Sequence, residues 1–193
     1  MPTLDFEKKY SGLIIAGVDE AGRGPLAGPV VAGAVIIDQD DIIEGIDDSK
    51  KISQIKREIL YKKITSKYIW AVGIINVEEI DKINILEATK AACMLAVANL
   101  KVRPDKVLID GNMKFPSMQN FISIIKGDSL SISIAAGSII AKVTRDRIMQ
   151  ELDKAHPEYY WRDNMGYGTK KHVQAIRECG QTMHHRKSFK VRY

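Results

Sequence analysis

The sequence predicts a mixed α/β fold, a sheet packed by helices, from three features. Apolar runs of strand length come early, at about 13–18, 29–37 and 69–77. Later, short apolar runs at Val107–Ile109 and Phe121–Ile125 alternate with stretches of helical period. A length of 193 residues with 45% hydrophobic content suits one domain, 1–193, with a full core, the part from about 156 to 193 being a small helical extension.

The elements follow in order. Leu13, Ile14, Ile15 and Ala16 read as a buried strand that ends at Asp19 and Glu20. Pro29 to Ile37 forms the second strand. Ser53 can cap a helix near 54–66, whose Ile55, Ile59 and Leu60 recur at helical spacing. Ile69 to Val77 is the third strand. Asn84 and Glu87 resemble a capping box that opens an Ala-rich helix to about Leu100, with Met94, Leu95 and Val97 in the core. Pro104 stops that helix before the Val107–Ile109 strand. A long helix from about Leu130 to Leu152 follows the fifth strand and turns Ile139, Ile140 and Val143 inward. Shorter helical pieces come after it, one starting after Thr169 and ended by Gly180.

Composition bounds the function. Lys and Arg number 29 against 24 Asp and Glu, a formal +5 that is compatible with a polyanionic partner without requiring one. Two cysteines, Cys93 in an apolar helix and Cys179 near a helix end, make neither a disulfide framework nor a zinc cluster. His184 and His185 lack further ligands nearby in sequence and read as structural or surface residues. No leader peptide and no apolar run of membrane-spanning length is recognised, so a soluble, cytoplasmic monomer without membrane association is expected.

The chemistry concentrates at strand ends. Asp19 and Glu20 close the first strand, Asp110 the fourth, and Asp128 follows the fifth. Ligands of such sheets gather where strands end, which brings these four acids within reach of one another. Acids so crowded need cations, and hard oxygen donors without cysteine or clustered histidine favour Mg²⁺ or Mn²⁺ over Zn²⁺. Taken singly, Asp110 or Asp128 reads rather as capping a helix or turn, as strand-end aspartates often do. After the first strand comes Gly22-Arg23-Gly24, whose glycines let backbone N–H groups approach a phosphate or a ribose hydroxyl. The spacing to Gly28 is not the dinucleotide fingerprint, and Pro25 argues against a helix opening there.

Together these pieces resemble a known family. Asp19-Glu20-Ala21-Gly22-Arg23-Gly24-Pro25 is similar to the opening motif of ribonuclease HII, the type 2 ribonucleases H. Asp48-Ser49-Lys50-Lys51, Ile109-Asp110-Gly111-Asn112, Lys126-Gly127-Asp128, Ile134 to Lys142, Gly166-Tyr167-Gly168-Thr169-Lys170 and His185-Arg186-Lys187-Ser188-Phe189 match in the same order. The resemblance implies a ribonuclease H-like, mixed five-stranded sheet and an endoribonuclease that uses two metal ions. Its substrates would be RNA/DNA hybrids and duplex DNA carrying single ribonucleotides, cut on the 5′ side to leave 3′-OH and 5′-phosphate ends. By the same resemblance Asp19, Glu20, Asp110 and Asp128 hold the metals, and Gly22, Arg23 and Gly24 read the 2′-OH. Tyr167 would stack on the sugar of the next deoxynucleotide.

Lys50, Lys51, Lys142, Arg145, Lys170, Lys171, Arg186 and Lys187 lie in or beside the matched motifs, and several are expected to contact phosphates, Lys50 and Lys142 foremost. Gly137 departs from the family's Ala-rich helix, which puts local helix stability in doubt. No C-terminal sliding-clamp peptide motif and no N-terminal platform domain of the type 3 enzymes is expected. Two alternatives stay open: a non-catalytic nucleic-acid-binding module, for which the basic balance suffices, and a metal nuclease acting on DNA structures.

Overall fold

In the computed structural model, which describes residues 1–116 and 118–191, a short helix α1 (Asp5–Lys8) comes first, and β1 (Ile15–Ala21), β2 (Val30–Ile36) and β3 (Ile69–Ile75) form an antiparallel meander. Strands β4 (Lys106–Asp110) and β5 (Phe121–Ile124) extend it in parallel from the other side of β1. The order is β3-β2-β1-β4-β5, so the strand bearing Asp19 and Glu20 lies at the centre of a five-stranded mixed sheet. Buried on both faces, β1 and β2 are apolar and small almost throughout.

Side chains alternate across this sheet. Ala16 and Val18 pack with Ala88, Ala92 and Ala96 of α3 (Val77–Ala98). On the opposite face Val35 meets Ala135, Ala136, Ile139 and Ile140 of α4 (Ile132–Ala155), with α2 (Gln54–Lys67) alongside. Glycine sets how closely α4 approaches. A Cβ on Gly17 would lie 2.1 Å from the Ser133 carbonyl carbon, and one on Gly33 would lie 2.4 Å from the Gly137 carbonyl oxygen. Gly137 is therefore a close-packing residue: a Cβ there would stand 2.8 Å from the Gly33 oxygen and 3.2 Å from the Asp19 nitrogen.

Several boundaries differ from the sequence reading. Leu13 and Ile14 precede β1 and are exposed, while β1 runs on through Ala21, so Asp19 and Glu20 lie within its last turn of pleat rather than beyond it. Helix α2 is capped by Ser53 as expected, but it buries Leu60 and Ile64 and leaves Ile55 76% and Ile59 51% exposed. Helix α3 starts at Val77, capped by Asn76, where the third strand was expected to continue. Asn84 stands at a break inside it (φ +68°), its side chain accepting from the N–H groups of Leu86 and Glu87. It re-caps the second half of a longer helix, and Glu87 turns to Lys90 instead of closing the box. Met94 and Leu95 are exposed; the small Ala88, Ala92 and Cys93 make that core instead.

A 3₁₀ turn (Gly127–Ser129) precedes α4, whose N-cap Ser131 accepts from the Ile134 N–H. Beyond it lie α5 (Trp161–Asn164) and α6 (Lys170–Cys179), the latter capped by Thr169 and followed by Gly180 at φ +82°. The final segment returns to the start of the sheet, where His185 bridges to Ala27. Among the described residues no helix is long and apolar enough to cross a membrane.

Candidate active site

Strand pairing brings the acids together. Val18 of β1 pairs with Ile109 of β4, so the next residues, Asp19 and Asp110, stand side by side at the ends of parallel neighbours. Asp128 arrives from the turn after β5, which Lys126 makes possible by taking a left-handed conformation (φ +58°). Its backbone N–H donates to Asp110 Oδ1 at 3.4 Å. One carboxylate oxygen from each of Asp19, Asp110 and Asp128 lies within 4.8 Å of the others. Glu20 stands beside this set, because strand alternation turns it to the other face of β1. There its Oε1 meets Arg23 Nη1 at 3.4 Å.

The electrostatics point to missing positive charge. Asp19 is only 2% exposed, and its Oδ1 accepts from the Glu20 N–H at 2.7 Å. Asp19 Oδ2 and Glu20 Oε2 are buried with no hydrogen-bond partner. Burial, then Glu20 and Asp110, hold the Asp19 carboxyl well above the usual range. Burial and Asp128 raise Asp110 likewise, and burial raises Glu20 against the pull of Arg23. Burial works against the charge of Lys50, yet Asp19, Asp128 and Asp48 outweigh it and push its ammonium pKa up. An all-oxygen donor set with orphaned buried oxygens fits a hard divalent cation.

Next to the acids lies a cleft of about 290 Å³. Glu20, Gly22, Arg23, Gly24, Lys50, Lys142 and Tyr167 all line it, with Ser49. Tyr167 is largely exposed, and its ring faces Gly24, whose added Cβ would be 3.6 Å from it. Gly22 takes φ +99°, and a Cβ on it would strike Arg145 Nε at 2.1 Å, so both conformation and space demand glycine. Lys50 reaches Asp128 at 3.4 Å and Lys142 pairs with Asp146 at 2.7 Å.

The other basic residues of the matched motifs are placed differently. Arg145 and Arg186 are fully buried and spend their donors on backbone carbonyls: Arg145 on those of Ala27, Pro29 and Met165, Arg186 on those of Gly22, Arg23 and Gly28. Both brace the turn, and Arg145 also borders the cleft. Lys170 and Lys171 line a separate surface groove of about 520 Å³ with Glu158 and Tyr160, away from the acids. Lys51 donates to Ser129 Oγ at 3.1 Å.

Two residues without an expected role also support the site. Ser138 of α4 lies near Asp19 and favours its charged form, and its hydroxyl lies 2.8 Å from that of Ser49. Ser49 sits in the Asp-Ser-Lys-Lys motif, which was the available signal. His185, expected to be structural or surface, is buried and paired with His172 at 3.1 Å.

A five-stranded sheet of this order with acids convergent at its central strand ends defines a ribonuclease H-like α/β protein. The family model for ribonuclease HII matches residues 16–192. A Rickettsia bellii ribonuclease HII is 66% identical over 186 residues, 96% of this chain and 94% of that protein. The ribonuclease H2 of Pyrococcus horikoshii superposes with a TM-score of 0.76 at 29% identity, covering 92% of this chain and 94% of that one. The ribonuclease HII in an Archaeoglobus fulgidus complex with PCNA gives 0.79 at 26% identity, covering 94% and 97%. The chain belongs to the ribonuclease HII family and is an endoribonuclease of the ribonuclease H class.

Proposed function

We propose that this ribonuclease hydrolyses the RNA strand of RNA/DNA hybrids and nicks duplex DNA on the 5′ side of a single embedded ribonucleotide. Its role would be the removal of misincorporated ribonucleotides and primer remnants. The observation that carries this reading is the adjacency of two features. A cleft lined by Gly22, Arg23, Gly24 and Tyr167 opens directly beside the carboxylates.

Asp19, Asp110 and Asp128, with Glu20 flanking, would hold two Mg²⁺ or Mn²⁺ ions, which activate water and stabilise the leaving oxygen of a phosphodiester. The turn's N–H groups bind the 2′-OH, the group that tells ribose from deoxyribose. Tyr167 covers the sugar of the next nucleotide, where an added hydroxyl fits worse. Lys50 and Lys142 hold flanking phosphates at the rim. Water adds to phosphorus as the bond to the ribose-preceding 3′ oxygen breaks, and that oxygen leaves as the 3′-OH.

The non-catalytic module has no use for buried unpartnered carboxylate oxygens, which repel phosphates. Incubation of a fully hybrid duplex and of a DNA duplex with one ribonucleotide, each with Mg²⁺, Mn²⁺ or EDTA, tests the proposal. Cleavage of both, lost in EDTA, is the expected result. Binding without cleavage in either metal would contradict it.

A further inference from the structure

Two carbonyl oxygens of the Gly22-Arg23-Gly24 turn, those of Gly22 and Arg23, point to one buried side chain. Arg186 donates through Nη2 to the Gly22 oxygen at 2.6 Å and through Nη1 to the Arg23 oxygen at 3.0 Å. Nη2 and Nε also reach the Gly28 oxygen, at 2.8 and 3.0 Å. Within a trans peptide plane the carbonyl of one residue and the N–H of the next point in opposite directions. Drawing the Gly22 and Arg23 oxygens inward therefore turns the N–H groups of Arg23 and Gly24 outward, on the side of the cleft. Among the described residues these two N–H groups find no protein acceptor.

The preceding residue fixes the opposite wall. The Thr182 N–H donates to His185 Nδ1 at 2.9 Å, so the His185 proton lies on Nε2 and goes to His172 Nε2, 3.1 Å away. His172 then carries its own proton on Nδ1 and donates it to the Tyr167 carbonyl at 2.9 Å. Two consecutive residues of one segment thus hold both the glycine-arginine turn and the backbone of the facing tyrosine. The segment itself is moored from outside: Asp81 accepts from the N–H groups of Lys187 and Ser188 at 2.9 and 3.0 Å.

We propose that Arg186 is a positioning residue that sets selectivity for the ribonucleotide junction, by orienting the Arg23 and Gly24 N–H groups toward the ribose hydroxyl; this rests on the reading of the cleft as the ribose site. A lysine cannot replace it. A compact ammonium keeps the charge but lacks the planar fork that reaches three carbonyls at once. The acid cluster lies outside this network and is reached by none of Arg186's hydrogen bonds.

The test compares kcat/KM on a single-ribonucleotide duplex with that on a fully hybrid duplex, for the wild type and Arg186→Lys, together with Mn²⁺ affinity by titration calorimetry. The junction-to-hybrid ratio should fall about tenfold in Arg186→Lys, the size of one lost hydrogen bond, with Mn²⁺ affinity unchanged. An unchanged ratio in the folded variant overturns the proposal, as does a parallel loss of Mn²⁺ affinity, which would mark general damage. Should Arg186→Lys not fold, Asp81→Ala makes the same test from the exposed side. A fall of about threefold supports the proposal and an unchanged ratio overturns it. A wild type that does not cut the junction duplex refutes the ribose-site reading itself, and this inference with it; a wild type that cuts it, with variants of equal ratio, refutes only the inference.

Discussion

Asp19 concentrates the tension of the site. Its carboxyl is buried, beside two other acids, with one oxygen unpartnered. A carboxyl whose folded pKa is raised binds its proton more tightly in the folded state. It therefore costs stability that grows as pH rises from the unfolded value near 3.8 toward the raised folded value. Asp19→Asn should abolish cleavage, leave duplex binding in place, and stabilise the metal-free protein by about 1 kcal/mol, some 2–4 °C in Tm. Near-wild-type turnover in Mg²⁺, or a lower metal-free Tm in thermal melts, would contradict this. His185 behaves in the opposite sense. Burial and the neighbouring His172, His184 and His156 depress it to about 4 from 6.5. Its contribution is complete above about pH 6.5 and is lost as pH falls toward 4, at up to about 1.4 kcal/mol per unit. Urea unfolding in EDTA should show this slope, flattened in His185→Gln; equal slopes would refute the assignment.

At the scale of elements, the site depends on how closely α4 lies on β1. Gly17 has no room for a Cβ against Ser133, so Gly17→Ala must lift the helix that carries Ser138 toward Asp19. Overpacking of this kind typically costs about 1–3 kcal/mol, and the loss should appear in urea unfolding together with weaker Mn²⁺ binding. Full stability with intact metal affinity would show that the close approach is dispensable. This scale also separates what the sequence made legible from what it did not. The five strands, the cap at Ser53 and a helix after Thr169 could be read, because apolar runs and cap residues are local signals. The phase of α2 could not: Ile55, Ile59, Leu60 and Ile64 all fit a helical period, and only docking decides that Leu60 and Ile64 are the pair that turns inward. Asn84 was recognisable as a cap, but its own helix had already started one segment earlier, at Val77.

For the whole molecule, the acids stood out in the sequence because Asp19, Glu20 and Asp110 close strands and Asp128 follows one, yet their division into three convergent carboxylates and a flanking Glu20 needed the sheet's register. Which of the eight basic residues face a duplex was not legible: Arg145 and Arg186 are buried, and a basic residue in a basic protein gives no sign of burial until the chain closes over it. The cations around the cleft with charge free of backbone carbonyls are Arg23, Lys50 and Lys142, the fourth, Arg145, being buried against the carbonyls it donates to. If each neutralises one duplex phosphate, log K against log salt should have a slope of about −0.9 per phosphate, about −3 in all. Fluorescence anisotropy with Asp19→Asn measures it, and a flat response would refute phosphate-led docking. The central claim is that one ribose hydroxyl directs cleavage. It is tested most directly by mapping the ends produced from two labelled duplexes that differ only in that 2′-OH. The account predicts one cut, on the 5′ side of the ribonucleotide with a 3′-OH end, and none in its deoxy twin; equal cutting of both, or a cut elsewhere, would contradict it.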